Sequence, residues 1–279
     1  MVAELVDLDD GVLAWVHDVR DPFGANVGVV VDDDGITLVD SGGRVGTYEP
    51  LARELARFAL PVTTIVLTHE HPDHVAGAGA RAFGDPEIVA STSTRDALAA
   101  APIGAALGAL HPAVADELAG LAHPTVTTVV DRRLRLGRLT LDVHGGHTGG
   151  DLVVDVDGAD VVFAGDLCFF DTVPLALGAD LRRWVASLGA LAGAGRIVPG
   201  HGPVGGDRER RAVEDYLAAV LDAADRGDEH VADGPWSSWW DVWGHRVPHA
   251  THRINVEQAR DPAGFPPTLV ELLQDSAAS

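Results

Sequence analysis

The 279-residue chain carries 42 acidic against 20 basic residues, a formal net charge of −22, and every basic residue is Arg. So negative a field repels phosphate backbones and anionic lipid, which argues against nucleic-acid and membrane partners. The single cysteine, Cys168, excludes an intrachain disulfide framework and a Cys-based zinc knuckle. The amino-terminal stretch has no basic start, and no apolar run reaches spanning length, so a cytoplasmic protein is expected.

In chain order, β-branched runs from Val12 (VLAWV), Val27 (VGVVV) and Ile36 (ITLV) alternate with acidic, Gly-containing turns and predict a meander of buried strands. A helix is expected from about Thr47 to Phe58. The strand from Val62 (VTTIVLT) runs into HEHPDHVAGAGARAF, with Pro72 where a first helical turn tolerates it. An αβ passage covers Pro86 to Val130, including a helical stretch around His111 to Leu121. Further strands begin at Leu139, Leu152, Val161 and Arg196, with a helix from Leu181 to Leu191 before the last.

Strands alternating with helices in two halves predict an α/β fold, two sheets sandwiched between helical layers. Beyond His201 the pattern changes, and Val213, Tyr216, Leu217, Val220, Leu221 and Ala224 fall at helical spacing. The expected division is a catalytic domain over 1–205 and a helical, Trp-rich appendage over 206–279.

The chemistry concentrates in THEHPDHVAG, where His69, His71, Asp73 and His74 follow a buried strand. Imidazoles two residues apart on an extended segment face one side and can share an ion, while Asp73 and His74, at a helix start, can face a second. So many ligand-type side chains are costly to desolvate unless a cation compensates them. His147 in HGGHTGGD, Asp166 in FAGDL and His201 in VPGHGP recur at strand ends beside glycines that permit sharp turns.

VDSG with Asp40, THEHPDH, GHTGGD, AGD and PGHG occur in the order found in the metallo-β-lactamase superfamily, and the chain resembles that family from about Val12 to Pro203. The resemblance implies an αββα sandwich with a C-terminal helical appendage. It makes His69, His71 and His147 ligands of a first ion, Asp73, His74 and His201 ligands of a second, and Asp166 the bridging carboxylate. Asp40 resembles the acid that orients a ligating imidazole, with a turn or helix cap before SGG as the alternative. Two Zn²⁺ per chain fit the all-nitrogen and carboxylate donor set, Fe or Mn being chemically acceptable.

The implied activity is a metal-dependent hydrolase, in which a metal-bridging hydroxide attacks an ester-like carbonyl and Asp73 shuttles a proton. Asp166 stands where one lactamase branch places a Cys, and Cys168, two residues on, reads as a core thiol. The leading substrate is an acyl thioester, small-molecule or carrier-bound, of the kind met by thioesterase/cyclases acting on polyketide chains. ATHRINVEQAR, with His249 and His252, resembles the terminal segment of such hydrolases. An acyl-homoserine-lactone lactonase is an alternative, although only Tyr48 and Tyr216 exist to assist a carbonyl. A mononuclear-iron persulfide dioxygenase is another, opposed by the extra ligands His74 and His201.

Trp236, Trp239, Trp240 and Trp243 suit one helical face, either packing the appendage down or forming a lid over the acyl group, with His245 following. Arg182, Arg183, Arg208, Arg210 and Arg211 are candidates for a patch that meets an anionic carrier. His144 and Asp151 read as a strand histidine and a turn cap as readily as pocket residues. The oligomeric state is open, a homodimer being one option.

Overall fold

The structure, a computed structural model, describes residues 3–21, 24–100, 116, 122–241 and 249–271. Seven strands form the first sheet in chain order: β1 (Glu4–Asp7), β2 (Val12–Val16), β3 (Val27–Asp32), β4 (Gly35–Val39), β5 (Val62–Val66), β6 (Glu87–Ser91) and β7 (Thr128–Val130). β1 to β4 is an antiparallel meander, and β4 to β7 pair in parallel. The second sheet runs β12-β11-β10-β9-β8, from β8 (Arg133–Leu136), β9 (Leu139–Val143), β10 (Leu152–Val156), β11 (Val161–Phe169) and β12 (Arg196–His201). Only β11 and β12 are parallel there.

Helices α1 (Val45–Leu55), α2 (Pro72–Gly79) and α3 (Thr92–Ala100) belong to the first half. Helices α4 (Leu181–Ala190), α5 (Asp207–Arg226) and α6 (His249–Arg260) belong to the second. The period-two alternation of strand side chains distributes the apolar residues over three layers of core. Val12, Ala14, Val30, Val39 and Val66 meet Leu141, Val154 and Phe163 between the sheets. Their neighbours Leu13, Trp15, Val29, Leu38 and Ile65 face outward onto Leu51 and Leu55 of α1 and Val75 of α2. On the far side, Val162, Ala164 and Ile197 pack against Trp184 and Leu188 of α4 and Val213, Tyr216, Leu217 and Val220 of α5. Strands buried on both faces explain the near-continuous apolar runs in the sequence.

The helix expected over 47–58 is an α-helix to Leu55 followed by one 3-10 turn, Ala56–Phe58. The tryptophan stripe is not helical. Pro235–Ser238 forms a single 3-10 turn, Trp239 is extended, and Trp240 pairs with Thr172 in an isolated bridge. Trp236 and Trp239 are buried, their ring centroids 5.6 and 6.2 Å from that of Tyr216. The bridge wins because Trp240 donates to the Asp171 carbonyl and accepts from Val173, contacts that a continuing helix would forfeit.

Trp243 and His245 lie outside the described residues, as does the stretch 111–121 apart from Asp116. Beyond His201 the chain folds back on β12, where Ile197 and Gly205 exchange backbone hydrogen bonds of 2.8 and 3.0 Å. Among the described residues no helix is long and apolar enough to cross a membrane.

Candidate metal centre

The seven candidate ligands converge from four places. His69 follows β5, and His71 is the extended N-cap of α2, with Pro72 at the first helical position. Asp73 and His74 lie in the first turn of α2, His147 in the β9–β10 loop, Asp166 within β11 and His201 at the end of β12. Ligand atoms of His69, His71, His147 and Asp166 fall within 4.8 Å of one another, and so do those of Asp73, His74 and His201. Asp166 spans the two groups. One carboxylate oxygen is 3.3 Å from His147 Nε2 and 3.7 Å from His69 Nε2, and the other is 3.1 Å from His74 Nε2 and 3.5 Å from His201 Nε2. His147 Nε2 and His71 Nδ1 approach to 3.0 Å.

Asp40, 2% exposed, organises the buried side of both groups. Its carboxylate accepts from the Thr68 amide, from Thr68 Oγ1 and from His74 Nδ1, each at 2.8 Å. Because the Thr68 hydroxyl donates to Asp40, it accepts from His69 Nδ1 at 3.0 Å. Both imidazoles therefore carry a proton on Nδ1 and turn Nε2 toward the centre. Asp40 adopts φ 68°, a left-handed conformation that aspartate tolerates better than most residues. Its hydrogen bonds go to Thr68 and His74, which makes it an orienting acid and not a helix cap.

Close packing leaves no room for side chains at two glycines. A Cβ on Gly200 would lie 1.9 Å from Asp166 Oδ1, and one on Gly146, beside His147, 2.3 Å from the Trp184 Cα. The Phe169 ring stacks on His201 at 5.0 Å and 15°, and Trp184 meets His147 edge-on at 4.9 Å.

Electrostatics divide the imidazoles. Burial holds His69 well below its ordinary pKa and pulls His147 down to about 3, the Asp166 charge only partly opposing it. Burial also disfavours protonated His74 and His201, but Asp166 and Asp73, with Asp40 for His74, outweigh it. His74 rises well above its usual value and His201 to about 9. Burial would raise Asp73, yet His74 and His201 bring it down to about 2, and the same pair holds Asp166 well below the usual carboxylate range. Two buried carboxylates held ionised among imidazoles, some neutral and some needing to shed a proton, suit a divalent cation that replaces those protons. Orphaned atoms agree, since His69 Nε2, His74 Nε2 and Asp166 Oδ1 are buried without a hydrogen-bond partner.

Cys168 is packed in the core behind β11, where burial pushes its thiol pKa up, and it joins neither cluster. The Asp151 carboxylate accepts from the Thr148 amide and hydroxyl, closing the GHTGGD turn. His144 is half-buried and bonds Asp151 through its backbone. The expected cationic patch does not stand free. Arg182 pairs with Asp225, Arg208 with Glu209, Arg210 with Asp207 and Glu214, and Arg211 with Asp207, while Arg183 donates to the His144 and Gly149 carbonyls. Tyr216 is buried, hydrogen-bonded to His252 and Asn255. Sequence reasoning missed Thr68, although it opens the THEHPDH motif, and Asn26, whose carboxamide donates to carbonyls more than 170 positions away.

The family model of the metallo-beta-lactamase superfamily matches residues 20–201, a span that holds Asp40 and all seven candidate ligands. No curated protein matches the chain in sequence. Among solved structures, the DIM-1 metallo-beta-lactamase exposed to ceftazidime is 19% identical, with a TM-score of 0.60 over 77% of this chain and 96% of that one. FIM-1 from Pseudomonas aeruginosa, in its mono-zinc form, is 20% identical, with a TM-score of 0.60 over 78% and 95%. A metallo-beta-lactamase from Pontibacter korlensis is 21% identical, with a TM-score of 0.57 over 78% and 99%. At such identities these likenesses are ones of fold, whereas the family match takes in the strand ends of both sheets that carry the candidate ligands, and the chain belongs to the metallo-beta-lactamase superfamily.

Proposed function

We propose that the protein is a dinuclear zinc hydrolase that cleaves an ester-like bond, with acyl thioesters as its substrate class. The carrying observation is the pair of adjoining donor clusters with Asp166 between them. In this reading His69, His71 and His147 hold one ion, Asp73, His74 and His201 the other, and Asp166 reaches both. Donors that are all imidazole or carboxylate, with Cys168 buried elsewhere, favour zinc over thiophilic metals. Bound there, two zinc ions would supply the Lewis acidity that activates water and polarises a carbonyl.

The chain's own groups complete the chemistry. Asp40 and Thr68 fix the tautomers of His69 and His74, and Phe169 and Trp184 hold the His201 and His147 rings. The Asp73 and His201 side chains each retain 13% exposure, so solvent reaches the second cluster. Asp73 there takes up and returns the proton that hydrolysis moves.

The complete Asp73/His74/His201 cluster disfavours a mononuclear-iron oxygenase. A lactonase relying on tyrosine is disfavoured because Tyr48 and Tyr216 are both buried. With Arg182, Arg208, Arg210 and Arg211 already paired, a thioester of a small, weakly charged thiol fits better than one on a phosphorylated carrier. Metal analysis and a panel of acyl thioesters, lactones and β-lactams test the reading. Two zinc ions per chain and turnover fastest on thioesters are expected. Activity that survives complete chelation, or one iron per chain with oxygen uptake, overturns it.

A further inference from the structure

Asn26 immediately precedes β3 of the first sheet, yet its polar atoms serve a turn at the end of the second. The side chain is 3% exposed, and its carboxamide is fully used. Oδ1 accepts from the His17 amide at 3.0 Å, while Nδ2 donates to the Pro199 carbonyl at 3.0 Å and the Gly202 carbonyl at 2.8 Å. The Asn26 backbone N–H donates to the Gly200 carbonyl at 2.7 Å. The remaining carbonyl of the turn, that of His201, accepts from Phe170 at 2.9 Å. Every carbonyl from Pro199 to Gly202 is thus held, three of the four by one residue.

The partners also fix the chemistry of position 26. Two carbonyls require two N–H donors and the His17 amide requires an acceptor, a combination that a primary carboxamide supplies and a carboxylate does not. An aspartate would turn an oxygen toward two carbonyl oxygens in a buried place, leaving acceptors unsatisfied. A tie that only joined the sheets would not need to grip both sides of His201.

We infer that Asn26 is a positioning residue for the second metal ion, acting through the turn that carries His201. The Asp73/His74/His201 cluster depends on it and the His69/His71/His147 cluster does not. The inference rests on the dinuclear reading, with His201 as a ligand. Groups that orient a metal ligand from behind typically govern metal affinity by about 10–100-fold, and here the orienting bonds reach the ligand's backbone.

The test compares the full-length protein with Asn26→Asp and Asn26→Ala variants. Each is titrated with cobalt(II), read by its visible absorption, and with zinc, read against a chromophoric chelator. In both variants the first ion should bind as in the wild type and the second about 10–100-fold more weakly, Asn26→Asp giving no rescue. Equal weakening of both ions, or two ions bound at wild-type affinity, overturns the inference while leaving the dinuclear reading intact. A wild-type protein that takes up one ion overturns that reading and the inference with it.

A measurement on the wild type needs no variant to fold. The Asn26 amide donates to Gly200, so its hydrogen exchange should slow on the second equivalent of zinc and not on the first. Exchange indifferent to the second equivalent counts against the inference.

Discussion

Asp40→Asn is the most informative single substitution, because it changes charge and one donor without changing shape. The wild-type carboxylate accepts three hydrogen bonds of 2.8 Å in a place 2% exposed. An asparagine offers one oxygen and must turn its NH₂ either toward the Thr68 amide or toward the side that receives both Thr68 Oγ1 and His74 Nδ1. Facing the amide it opposes donor to donor. Facing His74 it drives the imidazole proton to Nε2, the atom needed for the ion. Either way at least one charge-assisted hydrogen bond is lost, about 1.5–3 kcal/mol. At about 1.4 kcal/mol per tenfold that is a loss of roughly 10–150-fold, falling mainly on the ion held by His74.

Zinc titration against a competing chelator reads this directly. The zinc-induced rise in melting temperature should shrink in parallel, since stabilisation follows ligand affinity. An Asp40→Asn protein that binds both ions at wild-type affinity would refute the orienting role.

Thr68→Val keeps the side-chain volume and removes the hydroxyl between His69 Nδ1 and Asp40. It should weaken the first ion by about tenfold in the same titration, the mirror of the Asp40 result. Gly200→Ala places a Cβ 1.9 Å from Asp166 Oδ1, so the carboxylate must leave its shared position. Metal analysis should find both ions depleted, with a fold weakened by about 1–3 kcal/mol from overpacking in denaturant melts.

Metal uptake should be pH-dependent in a defined sense. Metal-free His201, at about 9, is protonated at neutrality and must shed that proton to ligate, so zinc affinity should climb with pH up to about 9. Calorimetry in buffers of different ionisation enthalpy should show protons released at pH 7. In the metal-free protein the raised His201 contributes stability fully present below about 6.5 and lost as pH rises through its folded value. Urea melts of that form across pH 6–10 would show the decline.

The donor clusters and the layered fold were legible because both depend on local signals. HEHPDH condenses four donors into one strand-to-helix passage, and the apolar strand runs follow from burial on both faces. The tryptophan stripe misled for a physical reason: spacing registers which residues share a helical face, but not that the turn ends at Trp239, which is extended, and that Trp240 finds a β partner in Thr172. Arg210 and Arg211 pair with Asp207 and Glu214 at helical spacings that the sequence displays, whereas Arg182 gave no signal of its neighbour, since it meets Asp225 only after α4 docks on α5. Asn26 was silent for the same reason, its meaning depending on a turn contributed from the other end of the domain.

The return of the chain at Gly205 has a further consequence. β12 ends the second sheet, and its outer row of backbone groups is the kind of surface on which another molecule's strand can add itself. The doublet between Ile197 and Gly205 occupies part of that row with the protein's own chain. The segment that carries His201 thus also hinders the strand from recruiting a stranger, so a lesion that opens this turn should show itself as self-association as well as lost metal.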